Sequence, residues 1–333
     1  MKKYLYLLSA LLLAMASCSS DEPNPDGPDV IPPGYLITPP KVAPINGLNE
    51  ATFPVIDGSD STQPLRTMLA AALIGNYQCL WLPDVFDGSN RLCFYHTSNN
   101  VERIKQLTTK LKATNTHPSF NNLIDGSVEL IISARESSDD ELAYAQGKGV
   151  TLIEKPIAND SFAFMVNRAN SIENLTHEQV VGIYSGKITN WKEVGGYDQP
   201  IKAFIRNRNS GSQEKMEKLV MKGTPMIDLP ELVGGSMMAP YLSLHTSLNG
   251  IGYSPFYYYL NMSTATDVVK AISINGVPPT REYIRNNTYP YVSSIVAVIR
   301  SDTPADSYAR KIFDYLTTSD GKKIIESIGY VAN

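Results

Sequence analysis

Four times this chain passes from an apolar, strand-like run through a short polar turn into a helical run. Val55 and Ile56 lead through Asp57, Gly58, Ser59, Asp60, Ser61 and Thr62 into QPLRTMLAAALIG, where Pro64 suits the first turn of a helix and Gly75 its end. RLCFYH leads through Thr97, Ser98, Asn99 and Asn100 into VERIKQLTTKLK, and VELIIS ends at Ser133 and Arg135 before another helical stretch. The fourth case is IRNRNSGSQEKMEKLV. Strand, turn and helix in this repeated order predict an open α/β sheet, where ligands sit beyond the carboxyl ends of the strands. Any one turn alone is an ordinary helix start.

Residues 205–220 carry the most local chemistry. Ser210 and Gln213 have capping-box spacing, and Met216, Leu219 and Val220 fall on one apolar face. A helix start leaves backbone N–H groups unpaired, and its dipole favours negative charge. Gly211 lets an oxyanion approach those donors, the hydroxyls of Ser210 and Ser212 add two more, and Arg206 can close a bidentate clamp. The same residues also fit a plain N-cap beside a solvated arginine.

The first residues, MKKYLYLLSALLLAMASC, have the basic start, apolar run and small residues of a bacterial secretion signal. Cys18 after Ala16 and Ser17 resembles a lipobox, so residues 1–17 are expected to be removed and Cys18 lipidated. No other apolar run is long enough to span a bilayer. Residues 18–45 are rich in proline and acidic residues and read as a semi-extended spacer. The expected location is the cell envelope, on its periplasmic side or, if exported, at the outer-membrane surface.

Residues 46–333 suit two lobes of ordinary size, with enough apolar residues for sizeable cores. A net charge of −4 argues against a nucleic-acid partner, so anion binding has to come from local geometry. Cys79 and Cys93 are expected either to pair or to remain buried thiols. His96, His117, His177 and His245 stand far apart without metal-ligand spacing, and no nucleophile elbow or P-loop occurs. Asp139, Asp140 and Glu141 fit a solvated first helical turn. Tyr257, Tyr258 and Tyr259 fit packing between lobes better than a sugar site. No catalytic residue, metal or cofactor is expected.

The run from Asn174 to Gln213, NLTHEQVVGIYSGKITNWKEVGGYDQPIKAFIRNRNSGSQ, resembles the phosphate-binding proteins of phosphate ABC transporters, within the two-lobed periplasmic binding protein superfamily. IDGSDSTQPL, NGIGYSPFYYY, TYPYVSSIVAVIR and the last 31 residues from TPADSY onward are similar to the same family, so the resemblance covers nearly all of the chain after the spacer. It implies a type II periplasmic binding protein fold with two α/β lobes and two chain crossings, near residues 156–162 and 287–292. One lobe would be residues 46–158 with 289–333, the other 159–288, and hinge closure would trap the ligand.

Carried over residue by residue, the resemblance implies phosphate contacts from Thr62, Ser98 and Ser133 in the first lobe. Arg206, Ser210, Gly211 and Ser212 would supply them from the second, with Asp60, Ser61, Thr97 and Arg135 as further candidates. Ser212 stands where the family has threonine. Family members best known for phosphate binding follow the fourth-loop serine with an aspartate that accepts the proton of hydrogen phosphate and so rejects sulfate; here Ala134 and Arg135 follow Ser133. Asp60 is the expected substitute, ahead of Asp57 and Glu136, while an extra arginine would suit a different oxyanion. The function implied is a monomeric solute-binding lipoprotein that captures phosphate or a similar oxyanion and delivers it to an ABC permease, touching the membrane only through its lipid. A sensor or scavenger module, or a surface lipoprotein that has lost its ligand, are the alternatives.

Overall fold

The computed structural model describes residues 36–84, 88–95, 101–228 and 233–333. Cys18, with the signal segment, lies outside the described residues. The spine of the fold is one sixteen-residue strand, Leu152–Asn167, long enough to serve two sets of partners. Its first part pairs antiparallel with the return strand Val292–Arg300, from Leu152 opposite Arg300 to Ser161 opposite Val292. Its second part pairs antiparallel with Gly250–Pro255, from Phe162 opposite Pro255 to Val166 opposite Ile251. The change of partner between Ser161 and Phe162 joins two α/β lobes into one eight-stranded sheet.

On the first side the order continues from the return strand to Leu130–Ser133 and then Ile56–Gly58; on the second side Lys202–Ala203 pairs parallel with Gly250–Pro255. Alternation decides which face each residue buries. Leu130, Ile132, Ile295, Ala297 and Ile299 pack with Leu65, Met68 and Leu69 of the helix Gln63–Ile74. Ile131, Val296 and Val298 face the opposite layer, with Phe120 and Leu123. A strand covered on both faces has to read as a continuous apolar run, which is why VELIIS shows no alternation. In the second lobe Phe162, Phe164 and Val166 centre a core with Tyr184, Trp191 and Tyr253. Opposite the return strand, Pro156 faces Val296 and Ala158 faces Ile295, so Ile157 is an extra residue, a bulge. Pro156 has no N–H for the ladder and is tolerated beside such an irregularity.

Two readings change, and one left open is decided. The RLCF stretch belongs to a separate three-stranded antiparallel sheet made by Leu36–Ile37, Cys79–Pro83 and Asn90–Phe94, not to the main sheet. Its alternate residues, Leu92 and Phe94 with Cys79 and Trp81, bury against the first core. Residues 36–45 lie on the body: Ile37, Val42 and Ile45 pack against the core, the Ala43 N–H donates to Asp320 Oδ2 at 2.8 Å, and its carbonyl accepts from Tyr315 at 2.7 Å. Cys79 is a free, buried thiol whose pKa burial pushes up to about 12, so it does not pair with Cys93. Tyr257, Tyr258 and Tyr259 are buried in the first core, with Tyr257 stacked on Tyr330 at 3.8 Å between ring centroids. Among the described residues no helix is long and apolar enough to cross a membrane.

Candidate functional site

The second-lobe wall grows from residues 205–221. Strand Ile205–Arg206 ends in a turn where Asn209 takes φ 63°, and Ser210 then caps the helix Gly211–Lys215, its Oγ accepting the Gln213 N–H at 3.1 Å. Only that half of the capping box forms. Gln213 Oε1 instead accepts from the Arg206 N–H at 3.2 Å and from the Tyr253 hydroxyl at 2.5 Å, tying the strand end to the helix start. The helix runs on as a π-turned stretch, Met216–Met221, with Met216 and Val220 in the core and Leu219 at its edge. Wide turns of this kind recur at functional sites. Arg206 is 6% exposed; its Nε donates to the Gly234 carbonyl at 2.9 Å and its Nη1 lies 3.2 Å from Met237 Sδ. Burial draws its pKa down, while Tyr253, Tyr258 and Asp60 push it back up.

The first-lobe wall comes from the turn after strand Ile56–Gly58 and from the start of the helix Thr116–Ile124. Ser59 Oγ shares a 2.8 Å hydrogen bond with Thr116 Oγ1 and accepts the Ala134 N–H at 2.8 Å, which pins three loops at one point. The two walls enclose a cavity of about 330 Å³. They come close at its edge: a Cβ on Gly211 would stand 2.5 Å from Thr116 Oγ1.

Of the residues singled out from sequence, Arg206, Ser210, Gly211, Ser212, Asp60 and Ser61 line this cavity. Thr62 and Ser133 do not. The Thr62 hydroxyl donates to the Ile132 carbonyl at 2.6 Å and receives Arg66 Nη1 at 2.5 Å, and the Ser133 hydroxyl donates to the Arg135 carbonyl at 2.6 Å. A buried hydroxyl takes the nearest carbonyl, so both are spent inside the lobe. Arg135 also stands away from the cavity. Its two terminal nitrogens fork onto Glu141 at 2.8 Å each, and it borders a second interlobe cavity of about 260 Å³ with Glu136, Lys218 and Ser293. Glu141 is therefore fully buried rather than solvated, closing a reciprocal capping box with Ser138 at the start of the helix Asp139–Gly147. Asp57 is saturated by the N–H groups of Gly58 and Thr114, the Thr114 hydroxyl and Asn122. Asp60 pairs with Arg91 at 2.9 Å and is the only carboxylate among the described residues that line the first cavity. Thr97 and Ser98 lie outside the described residues.

Lining residues not singled out for the site include Ser59, Thr116, His117 and Lys215. The Asn-Thr-His-Pro run held a signal, since Asn115 takes φ 75° and Pro118 falls in the first turn of the helix that follows. His117 Nδ1 lies 3.0 Å from Glu141 Oε1. Lys215 is 3% exposed, and its Nζ has no hydrogen-bond partner. A helix start, serine hydroxyls and a buried arginine converging on one cavity suit an oxyanion. No group of three or more His, Cys, Asp or Glu side chains suited to a metal occurs among the described residues.

A model of the PBP superfamily domain matches residues 96–320. The phosphate-binding protein PstS of Staphylococcus aureus (strain USA300) is 27% identical over 222 residues, covering 65% of this chain and 67% of that protein. PstS of Borreliella burgdorferi is 25% identical over 226 residues, covering 64% and 75%. Among solved structures, an ABC-type phosphate transport receptor from Vibrio cholerae matches with a TM-score of 0.56 and 26% identity over 83% of this chain and 98% of that one. A substrate-binding protein with bound phosphate from Clostridium perfringens matches in fold with a TM-score of 0.59 and 23% identity over 84% and 98%.

Proposed function

This chain belongs to the PBP superfamily, and we propose that it captures inorganic phosphate between its lobes and delivers it to an ABC permease. The observation that carries this reading is the cavity where Arg206 and the Ser210, Gly211, Ser212 helix start face Ser59 and Thr116 from the other lobe. An oxyanion there meets N–H and O–H donors from both sides, so binding it favours the closed arrangement over the open one. Relatives named as phosphate-binding protein PstS and as an ABC-type phosphate transport receptor support the choice of ligand and of permease. We take residues 46–158 with 289–333 as one lobe and 159–288 as the other, a division supported by the change of partner along Leu152–Asn167. In this reading the protein is a binding protein rather than an enzyme, held in the cell envelope by lipid on Cys18.

Hydrogen phosphate differs from sulfate in carrying a proton, and a site with an acceptor for it rejects an ion that lacks it. Asp60, with one oxygen on Arg91, is the carboxylate available on the cavity wall. Titration calorimetry on the folded protein tests this: phosphate is expected to bind at least about 10³-fold more tightly than sulfate. Asp60→Asn is expected to narrow that ratio. Equal affinity of the unaltered protein for the two ions would end the reading of a phosphate-selective site.

A further inference from the structure

Lys215 is a lysine where the sequence around it, Gln-Glu-Lys-Met-Glu-Lys, looks like an exposed helical surface. Four residues after Gly211, it falls on the same helix face and lines the same cavity. Its Nζ is buried and has no hydrogen-bond partner. Of the charged groups that act on it, Asp160 favours its ammonium and Arg135 opposes it, and neither hydrogen-bonds it. Asp160, on the long strand, accepts the N–H groups of Ser161 and Tyr257 with Oδ1 at 2.7 and 3.0 Å, and its Oδ2 bonds nothing. Arg135, on the loop after Leu130–Ser133, is engaged by Glu141 and adds repulsion. Within the cavity Arg206 donates to a carbonyl and a thioether, so neither it nor Lys215 hydrogen-bonds a carboxylate.

We propose that Lys215 is the second counter-charge of the anion site, and that it takes up a proton when a divalent tetrahedral oxyanion enters. Arg206 and Lys215 are the two buried cations on the cavity lining, with Asp160 supplying only part of the charge opposite Lys215. This rests on the phosphate reading above and sharpens it, since a dianion compensates the pair more fully than a monovalent anion. Before the ligand arrives, burial holds Lys215 down to about 8, with Asp160 opposing and Arg135 reinforcing the fall. A dianion beside the ammonium favours the charged form and raises that pKa again. The proton moves from a solvent or buffer acid to Nζ: an N–H bond forms as the donor's bond to that proton breaks, and the donor leaves as its conjugate base.

The sign follows directly. About one pH unit below 8 Lys215 is already largely charged and adds no pH dependence of its own; above 8 each binding event has to draw a proton, and affinity falls by up to about tenfold per pH unit. The test is titration calorimetry with phosphate at pH 8 in buffers of different ionisation enthalpy, on the unaltered protein, Lys215→Arg and Lys215→Met. An arginine stays protonated throughout, so its proton count isolates phosphate's own titration. The unaltered protein is expected to take up roughly half a proton more than Lys215→Arg. Lys215→Met is expected to lose at least about 30-fold in affinity, Lys215→Arg to rescue much of that, and only the lysine form to show the fall above pH 8. Lys215→Met within threefold of the unaltered protein, or a Kd flat from pH 7 to 9.5 in the unaltered protein, would overturn the assignment while leaving phosphate binding intact. Failure of the unaltered protein to bind phosphate at all would remove both.

Discussion

Gly211 stands where one lobe reaches the other, with Thr116 Oγ1 2.5 Å from the place a Cβ would take. Thr116 cannot step aside freely, because that oxygen is bonded to Ser59 and its own Cβ would be 3.3 Å away. Alanine is the better helix former by about 1 kcal/mol, so Gly211→Ala is expected to leave the melting temperature of the ligand-free protein unchanged or slightly raised. Its phosphate affinity is expected to drop at least tenfold and to recover in part with Thr116→Ala, measured by calorimetry on the single and double variants. An affinity equal to the unaltered protein would show that the lobes need not approach this closely. Arg206, Ser210 and Ser212 could be read from sequence because a helix start is a local event, encoded within a few residues. Thr62 and Ser133 could not be judged that way, since a rotation about one bond decides whether a hydroxyl meets a ligand or a carbonyl. Lys215 was illegible for another reason: what buries it is the packing of distant strands, and nothing adjacent in sequence announces it.

The helix Asp139–Gly147 shows what an element contributes without touching the cavity. Ser138 and Glu141 cap it, and Glu141 then holds Arg135 and faces His117, whose neighbour Thr116 helps form the cavity wall. Removing one partner of a buried ion pair strands the other, at a cost of about 3–5 kcal/mol. Glu141→Ala is therefore expected to lower the melting temperature by many degrees, and Glu141→Ala with Arg135→Met to regain most of it, followed by thermal unfolding. If the double variant melts as low as the single one, the loss belongs to the cap and not to the ion pair. Helix ends were plain in the sequence at Gln63–Ile74, whereas the capping box of Ser138 and Glu141 was legible only as an acidic first turn. Sheet membership was not. The RLCF strand carries the same residue types as a strand of the main sheet, and only its pairing with Cys79–Pro83 sends it elsewhere. The turn before Thr116, which lines the cavity, carried a signal of its own in Asn115 and Pro118.

The whole molecule is two lobes that share one continuous strand, which ties their stabilities together. Leu152–Asn167 carries ladder bonds of both lobes, so neither sheet melts without disturbing the other. Calorimetric unfolding is expected to give one transition, moving upward as phosphate is added, by about 2.7 kcal/mol at one hundred times Kd. Two separate transitions, only one of them responsive to phosphate, would show the lobes to be independent. Strand sharing has a further effect, on timing. Val292–Arg300 lies between Leu130–Ser133 and the long strand, and Val331–Ala332 joins that long strand later still. A ribosome has to finish residue 300 before the first sheet can close at all, although much of that lobe left the exit tunnel far earlier. Pairings this distant in sequence are slow to form. Closure of the first sheet thus waits on residues far along the sequence, while the pairing of Leu152–Asn167 with Gly250–Pro255 can form earlier.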